Sequence, residues 1–140
     1  MEIITKTGQD TSRLGESLGS QIKDCRLIAL WGDLGSGKTT FVQGLAKSIG
    51  IKKRITSPTF LIAKPYVLST DKYFWHVDLY RIAKANLADL GLKEIMDDPN
   101  NLMVIEWPEI IEDELPQKRI DIYFEKLKDD DRKIKINKRY

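Results

Sequence analysis

The first third of the chain alternates between continuous apolar runs and stretches where apolar residues recur every three or four positions. Residues 27–31 read Leu-Ile-Ala-Leu-Trp, which predicts a strand buried on both faces. Residues 41–49 carry apolar side chains on one helical face, and Gly50 follows where a helix-capping glycine belongs. An apolar stripe at a spacing of four predicts an earlier helix that runs to about residue 23, and a short strand is predicted over residues 2–5.

The rest of the chain is predicted to be mainly strands. Their segments are rich in β-branched and aromatic residues, and they lie at 61–68, 72–77, 102–105, 120–127 and 132–136. Turn residues at 69–71 and 128–131 predict two hairpins, so part of the sheet should be antiparallel. One or two short helices are predicted over residues 83–96, followed by a loop over 97–101. These elements predict an α/β protein with a mixed sheet.

The turn between the first buried strand and the following helix matches the P-loop pattern G-x-x-x-x-G-K-[ST]. Gly32, Gly37, Lys38 and Thr39 occupy its fixed positions. Glycines let successive backbone N–H groups converge on phosphate oxygens, and the helix N-terminus adds positive potential. Lys38 is expected to reach the β- and γ-phosphates, and the Thr39 hydroxyl to bind Mg²⁺. A chance match is disfavoured because strand, glycine loop and helix occur in the order that the motif requires.

Two acidic residues end apolar strands. Asp78 closes one such run and Glu106 follows another, as in the Walker B pattern, in which a carboxylate binds or orients the Mg²⁺ shell. The alternative for Glu106 is a strand-end carboxylate exposed to water. One acid could hold Mg²⁺ while the other positions the attacking water, and the sequence leaves open which does which. His76, the only histidine, is expected to be structural, and Trp107 either caps the core or packs on a partner or a mobile loop.

Two further segments allow more than one interpretation. Ser57 and Thr59 flank a proline and offer hydroxyls to Mg²⁺ or to the γ-phosphate, as in a nucleotide-sensing loop. A simple Ser/Pro turn before a strand explains them equally well. The basic run at residues 52–54 fits a solvated face better than a specific RNA contact.

Composition narrows the class of protein. The 140 residues are 41% hydrophobic and 31% charged, typical of one globular domain over residues 1–140. A net charge of +2 is too small to indicate strong nucleic-acid binding, and no apolar run is long enough to span a membrane. The single cysteine, Cys25, cannot form an internal disulfide, which suits a reducing cytoplasm and a buried structural position.

The sequence favours adenine over guanine as the nucleotide base because it lacks a guanine-binding motif. Guanine specificity normally uses an Asn-Lys-x-Asp loop, and the chain's only Asn-Lys pair, Asn137 and Lys138, has no Asp after it. ATP is therefore favoured over GTP, with Mg²⁺ as the accompanying ion.

Four segments occur in the order found in the bacterial TsaE (YjeE) family, which the chain resembles over nearly its whole length. The segments are 32–40, 57–60, 76–81 and 106–108. The P-loop alone is generic, but the combination is specific. Members of that family are small ATPases needed to make threonylcarbamoyladenosine (t6A) at position 37 of tRNAs that read ANN codons. The resemblance implies a P-loop NTPase-like three-layer α/β sandwich with a mixed parallel and antiparallel central sheet.

The resemblance also implies roles for individual residues. Thr39 and Glu106 look like Mg²⁺ ligands, and Asp78 looks like a catalytic or water-orienting carboxylate. Together with Lys38 of the P-loop, Asp78 and Glu106 form the predicted catalytic set. Residues 57–60 resemble a switch-like loop. The implied nucleotide contacts are Thr7, Gly8, Gln9, Asp33, Leu34, Gly35, Ser36, Gly37, Lys38, Thr39, Thr40, Thr59 and Arg132.

The family's partners follow from the same resemblance. TsaE proteins bind a complex of TsaB and TsaD, in which TsaD transfers the threonylcarbamoyl group, so contact with tRNA is expected only indirectly. Within the chain only Arg81 and Arg132 are candidates for an arginine finger. A site that lacks this group hydrolyses nucleotide slowly until a partner completes it. We therefore expect weak basal ATPase activity raised by TsaB and TsaD. The sequence leaves weak self-association open.

Two other functions use the same motif. A small-molecule kinase needs an acceptor pocket and an arginine-bearing lid, whereas the segment after the P-loop helix is predicted to be a hairpin. A nucleotide-dependent binding module would bind ATP and partners with hardly any turnover.

Overall fold

The computed structural model of the protein describes residues 1–22, 24–56 and 62–140. The strands are β1 Glu2–Thr5, β2 Leu27–Trp31, β3 Ala63–Ser69, β4 Lys72–Asp78, β5 Asn101–Glu106, β6 Ile120–Lys126 and β7 Arg132–Lys138. The helices are α1 Gly8–Gly19, α2 Lys38–Ser48, α3 Lys93–Asp97 and a 3₁₀ segment, Pro108–Glu114. No helix among these residues is long and apolar enough to cross a membrane.

The seven described strands form one sheet in the order β1-β7-β6-β2-β5-β4-β3. Four neighbouring strands at its centre, β6, β2, β5 and β4, run parallel to one another. The flanking strands β3 and β7 are antiparallel to their neighbours, and β1 is antiparallel to β7. This mixed sheet confirms the predicted fold class and both predicted hairpins.

The central strands are buried on both faces, which explains their continuous apolar sequences. In β2, Ile28 and Leu30 face one core and Leu27 and Ala29 face the other, because side chains alternate along a strand. Helices α1 and α2 cover the first core. The second is covered by the turn-rich segment 79–97 and by the 3₁₀ segment. The result is the three-layer arrangement that the resemblance implied.

Helices α1 and α2 pack with their backbones in close contact. A methyl group placed on Gly44 of α2 would lie 1.9 Å from the carbonyl oxygen of Ser12 in α1. Glycine is therefore required at this position by the approach of the neighbouring helix. Because α2 begins at the P-loop and α1 begins beside it, this contact positions both helix N-termini around one site.

A buried ion cluster fixes the strand that leads into the P-loop. The Trp31 indole N–H donates a hydrogen bond to Asp121 Oδ1 at 3.0 Å, and Arg119 Nε donates to the same oxygen at 2.9 Å. Arg139 Nε lies 2.6 Å from Asp121 Oδ2, an ion-pair contact without hydrogen-bond alignment. Asp121 is fully buried, so these cations stabilise a charge that water does not reach. The residue after Trp31 is the first glycine of the P-loop.

The structure departs from the predicted elements in three places. Helix α1 ends at Gly19, because backbone and side-chain bonds at Ser20 and Gln21 close its last turn; residue 23 lies outside the described residues. The segment 83–96 contains one short helix, α3, which begins at Lys93, and its earlier part forms turns over the second core. The 3₁₀ segment after Trp107 was not predicted at all.

Candidate nucleotide and magnesium site

A cavity of about 490 Å³ opens where the parallel strands β2, β5 and β4 end. This is the edge at which α/β sheets bind ligands. The cavity is lined by Thr7, Gly8, Thr11, Leu34, Gly35, Gly37, Lys38, Thr39, Thr40, Asp78, Glu106, Trp107, Asp130 and Arg132. Eleven of these lining residues were among the candidate site residues of the sequence, and they come from five separate stretches of the chain.

The P-loop backbone adopts the geometry that its glycines allow. Gly32 has a φ of 147°, and a methyl group on it would lie 2.6 Å from the Phe124 carbonyl oxygen. Gly37, with a φ of 101°, caps the N-terminus of α2 and supplies no side chain there. The Ser36 hydroxyl is buried and makes no hydrogen bond within the described part of the chain. A buried polar atom without a partner is unusual, and it fits a loop that binds a polar ligand.

Lys38 is held inside this loop. Its Nζ donates a hydrogen bond to the Gly32 carbonyl oxygen and lies 3.8 Å from the centroid of the Trp107 ring. Burial lowers the pKa of Lys38, while the nearby carboxylates, Glu106 first among them, act in the opposite direction. A cation so placed has shed most of its water, and phosphate oxygens would offer it stronger acceptors than a carbonyl does.

The two strand-end acids are direct neighbours across the sheet. Asp78 on β4 is the register partner of Glu106 on β5. Burial raises the pKa of Asp78, and the like charge of Glu106 adds to that effect, although the Tyr80 N–H donates to Asp78 Oδ1 at 2.9 Å and opposes it. Asp78 is partly exposed, whereas Glu106 is only 3% exposed. The two carboxylates therefore lie in different environments within one cavity.

Glu106 is paired with the chain's only histidine. His76 Nε2 lies 2.5 Å from Glu106 Oε2, and the His76 side chain is fully buried. The sequence predicted a structural histidine here but did not predict its contact with Glu106. The alternation along β4 contains a signal for it, because His76 and Asp78 are two residues apart and share a face of the strand.

The opposite wall of the cavity comes from α1 and from the β6–β7 hairpin. The Thr7 hydroxyl accepts a hydrogen bond from the Asp10 N–H at 3.1 Å, which caps α1. The Thr5 and Thr11 hydroxyls are 2.7 Å apart and join β1 to that helix. Arg132, at the start of β7, brings a guanidinium to the same cavity.

Some expected nucleotide contacts do not line the cavity. Gln9 and Asp33 are exposed and lie outside its lining, and Ser36 is buried within the loop. Thr59, like the rest of residues 57–60, lies outside the described residues.

Three lining residues were not among the candidate contacts. Thr11 follows Thr7 by one helical turn, so helical spacing could have indicated it. Asp130 lies in the turn two residues before Arg132, and Trp107 was predicted beside the site without its contact to Lys38.

The donor set suits a magnesium nucleotide better than a metal held by protein alone. Among the described residues there is no group of three or more His, Cys, Asp or Glu that could hold a metal ion. Mg²⁺ typically keeps several waters and binds through one or two carboxylates together with substrate phosphates. The Thr39 hydroxyl and the carboxylates of Asp78 and Glu106 fit that pattern.

Comparison with known proteins identifies the family. Residues 5–134 match the family described as "Threonylcarbamoyl adenosine biosynthesis protein TsaE". The chain belongs to the TsaE family. The TsaE protein of Treponema pallidum is 36% identical over 137 residues, covering 97% of this chain and 99% of that one. TsaE of Bacillus subtilis is 36% identical over 133 residues, covering 93% and 80% of the two chains.

The TsaE fold is also seen in a solved relative. The crystal structure of Bacillus subtilis YdiB matches with a TM-score of 0.75 and 28% identity, covering all of this chain and 86% of that one. Both the predicted resemblance and the predicted fold class are thereby confirmed.

Proposed function

We propose that this TsaE chain binds Mg²⁺-ATP in the cavity, hydrolyses it slowly, and supports t6A formation at position 37 of tRNA by acting on the TsaB–TsaD complex. One observation carries the proposal: Lys38 of the P-loop and the strand-end acids Asp78 and Glu106 line a single cavity. Membership of the TsaE family supports the assignment to t6A biosynthesis.

Each residue has a distinct part in this proposal. Lys38 would leave the Gly32 carbonyl and bind the β- and γ-phosphate oxygens. The Thr39 hydroxyl and the Glu106 carboxylate would hold Mg²⁺, which when bound offsets the charge on the phosphate oxygens. Asp78 would orient the attacking water, because burial raises the pKa of Asp78 and so makes its carboxylate a stronger proton acceptor.

The arginine that lines the cavity is the reason to expect slow basal hydrolysis of ATP. Arg132 is the only arginine lining the cavity among the described residues, and its Nη1 donates to the Asp131 carbonyl oxygen at 3.1 Å. A guanidinium engaged with its own hairpin is poorly placed to stabilise charge on a transferring phosphoryl group. A partner that moved the hairpin, or supplied its own cation, would accelerate hydrolysis.

The test is the ATPase rate with and without the TsaB–TsaD pair, for the wild type and for Glu106→Ala. The pair should raise the wild-type rate, and the Glu106→Ala variant should lose that rise because a Mg²⁺ ligand is gone. Glu94→Ala, which removes an exposed carboxylate from α3, is the matched control and should behave as the wild type.

Two outcomes would contradict the proposal. A fast rate in the isolated protein that the pair leaves unchanged would overturn the role of the partners. ADP release that depends on a small-molecule acceptor would favour a P-loop kinase instead.

A further inference from the structure

We propose that His76 is the positioning residue for Glu106, holding its carboxylate in the orientation needed to bind the magnesium of the nucleotide. This inference rests on the proposed Mg²⁺-ATP site and adds a residue to it. His76 would not itself touch metal or nucleotide, because its side chain is fully buried and does not line the cavity.

The sheet register makes the contact possible. His76 on β4 is paired with Val104 on β5, and Glu106 lies two residues further along β5. A diagonal neighbour at this spacing lies on the same face of the sheet and within reach of a long side chain. The imidazole therefore reaches Glu106 on the adjacent strand, while Asp78 takes the position directly opposite Glu106.

The hydrogen bond restrains a side chain that would otherwise be free to rotate. A glutamate has three side-chain torsions, and Glu106 at 3% exposure has almost no water to hold its carboxylate. His76 Nε2 is hydrogen-bonded to Glu106 Oε2 at 2.5 Å. The other carboxylate oxygen of Glu106, Oε1, is then the one that would bind a cation. Ligand carboxylates in metal sites are commonly held by such an outer hydrogen bond.

Only one of the two ring nitrogens of His76 has a hydrogen-bond partner among the described residues. Its Nδ1 is buried and makes no hydrogen bond within residues 1–22, 24–56 and 62–140. Since an ionised carboxylate can only accept, we assign the ring proton to Nε2, which donates to Glu106. A histidine buried only for packing would not need this polar contact, and an apolar residue would fill the same volume at lower cost.

The test compares variants that keep or remove the donor. His76→Gln places an amide N–H at a reach similar to that of Nε2, whereas His76→Leu fills the space without a donor. Mn²⁺ would replace Mg²⁺, and its binding in the presence of a non-hydrolysable ATP analogue would be followed by electron paramagnetic resonance. Binding of the same analogue in EDTA, and the thermal melting of each variant, would be measured in parallel.

We expect His76→Leu to weaken Mn²⁺ binding by roughly 10- to 100-fold, the usual cost of removing an outer partner of a metal ligand. Nucleotide binding in EDTA should stay within about twofold, and His76→Gln should recover most of the Mn²⁺ affinity. If His76→Leu does not fold, His76→Asn takes its place. The shorter amide of His76→Asn cannot reach Oε2, so this variant should bind Mn²⁺ as weakly as a variant without a donor.

Two results would overturn the positioning role. One is wild-type Mn²⁺ affinity in a variant without the donor, and the other is a His76→Gln variant as weak as the donor-free variant. A wild-type protein that holds no Mn²⁺ beside the ATP analogue would instead overturn the proposed function itself, so the two failures are distinguishable.

Discussion

The ammonium group of Lys38 lies 3.8 Å from the centroid of the Trp107 ring. Trp107 reaches this position with a left-handed backbone, φ 58° and ψ 55°, which a bulky side chain rarely adopts. Such a conformation costs on the order of 1–3 kcal/mol and persists where the surrounding structure enforces it. The residue after Glu106 is therefore strained, and its ring holds the P-loop lysine.

Nucleotide binding should separate this pair. In a Trp31→Phe, Trp75→Phe variant, Trp107 is the only tryptophan, and an ammonium group over an indole face quenches its emission. Mg²⁺-ATP should draw Lys38 to the phosphates, so fluorescence should rise towards the level of the same variant carrying Lys38→Met. Unchanged emission at saturation, with binding verified by calorimetry, would contradict the movement.

Asp78→Asn should stabilise the protein at neutral pH while removing hydrolysis. The folded-state pKa of Asp78 is raised above its ordinary value of 3.8, so its ionised form is disfavoured by burial and by Glu106. Asparagine keeps the acceptor for the Tyr80 N–H and removes the charge. We expect a gain of about 0.5–1 kcal/mol in unfolding free energy, the usual size of a partly screened charge interaction.

The stability difference between Asp78→Asn and the wild type should depend on pH. Above the folded-state pKa the wild type carries the unfavourable charge, and as the pH falls towards 3.8 it becomes protonated and the cost disappears. Urea unfolding between about pH 4 and 7 should show the advantage of Asp78→Asn shrinking as the pH falls. If Asp78→Asn were less stable than the wild type at every pH in this range, the unfavourable charge on Asp78 would be refuted.

Gly44→Ala should destabilise the protein by about 1–3 kcal/mol, the range for forcing an extra carbon into a packed interior. The new Cβ would meet the Ser12 carbonyl oxygen at 1.9 Å, so α1 and α2 must move apart. Gly8→Ala is the control, because its Cβ would have its nearest neighbour 3.9 Å away. Denaturant unfolding without nucleotide should separate the two, and equal stabilities would contradict the required close approach.

Asp121→Ala should destabilise the protein by about 3–5 kcal/mol, because it leaves the guanidinium of Arg119 buried without its counter-charge. The same substitution at Glu125, an exposed position on the same strand, should change the unfolding free energy by less than about 0.5 kcal/mol. Chemical denaturation of both variants tests the difference. A mild effect at Asp121 would mean that the cluster does not hold the strand before the P-loop.

Local patterns in the sequence predicted the P-loop, the strands and the acids that end them. A glycine-rich turn, an apolar run or a helical spacing of apolar residues involves only residues close in sequence. Such patterns can therefore be recognised without knowing any tertiary contact. This is why β2 was placed correctly at Leu27–Trp31 and why Lys38, Thr39, Asp78 and Glu106 were all candidates. Where local propensity was weak, as over residues 83–96, packing on the core decided the outcome.

Only the tertiary structure decided which of these residues meet. The contact between His76 and Glu106 joins positions 30 residues apart, and it depends on β4 pairing with β5 in one register. The approach of Arg132 to the P-loop likewise depends on β7 returning beside β6. A shift of one residue in either pairing would turn the side chains to the other face, and sequence spacing carries no information about strand order.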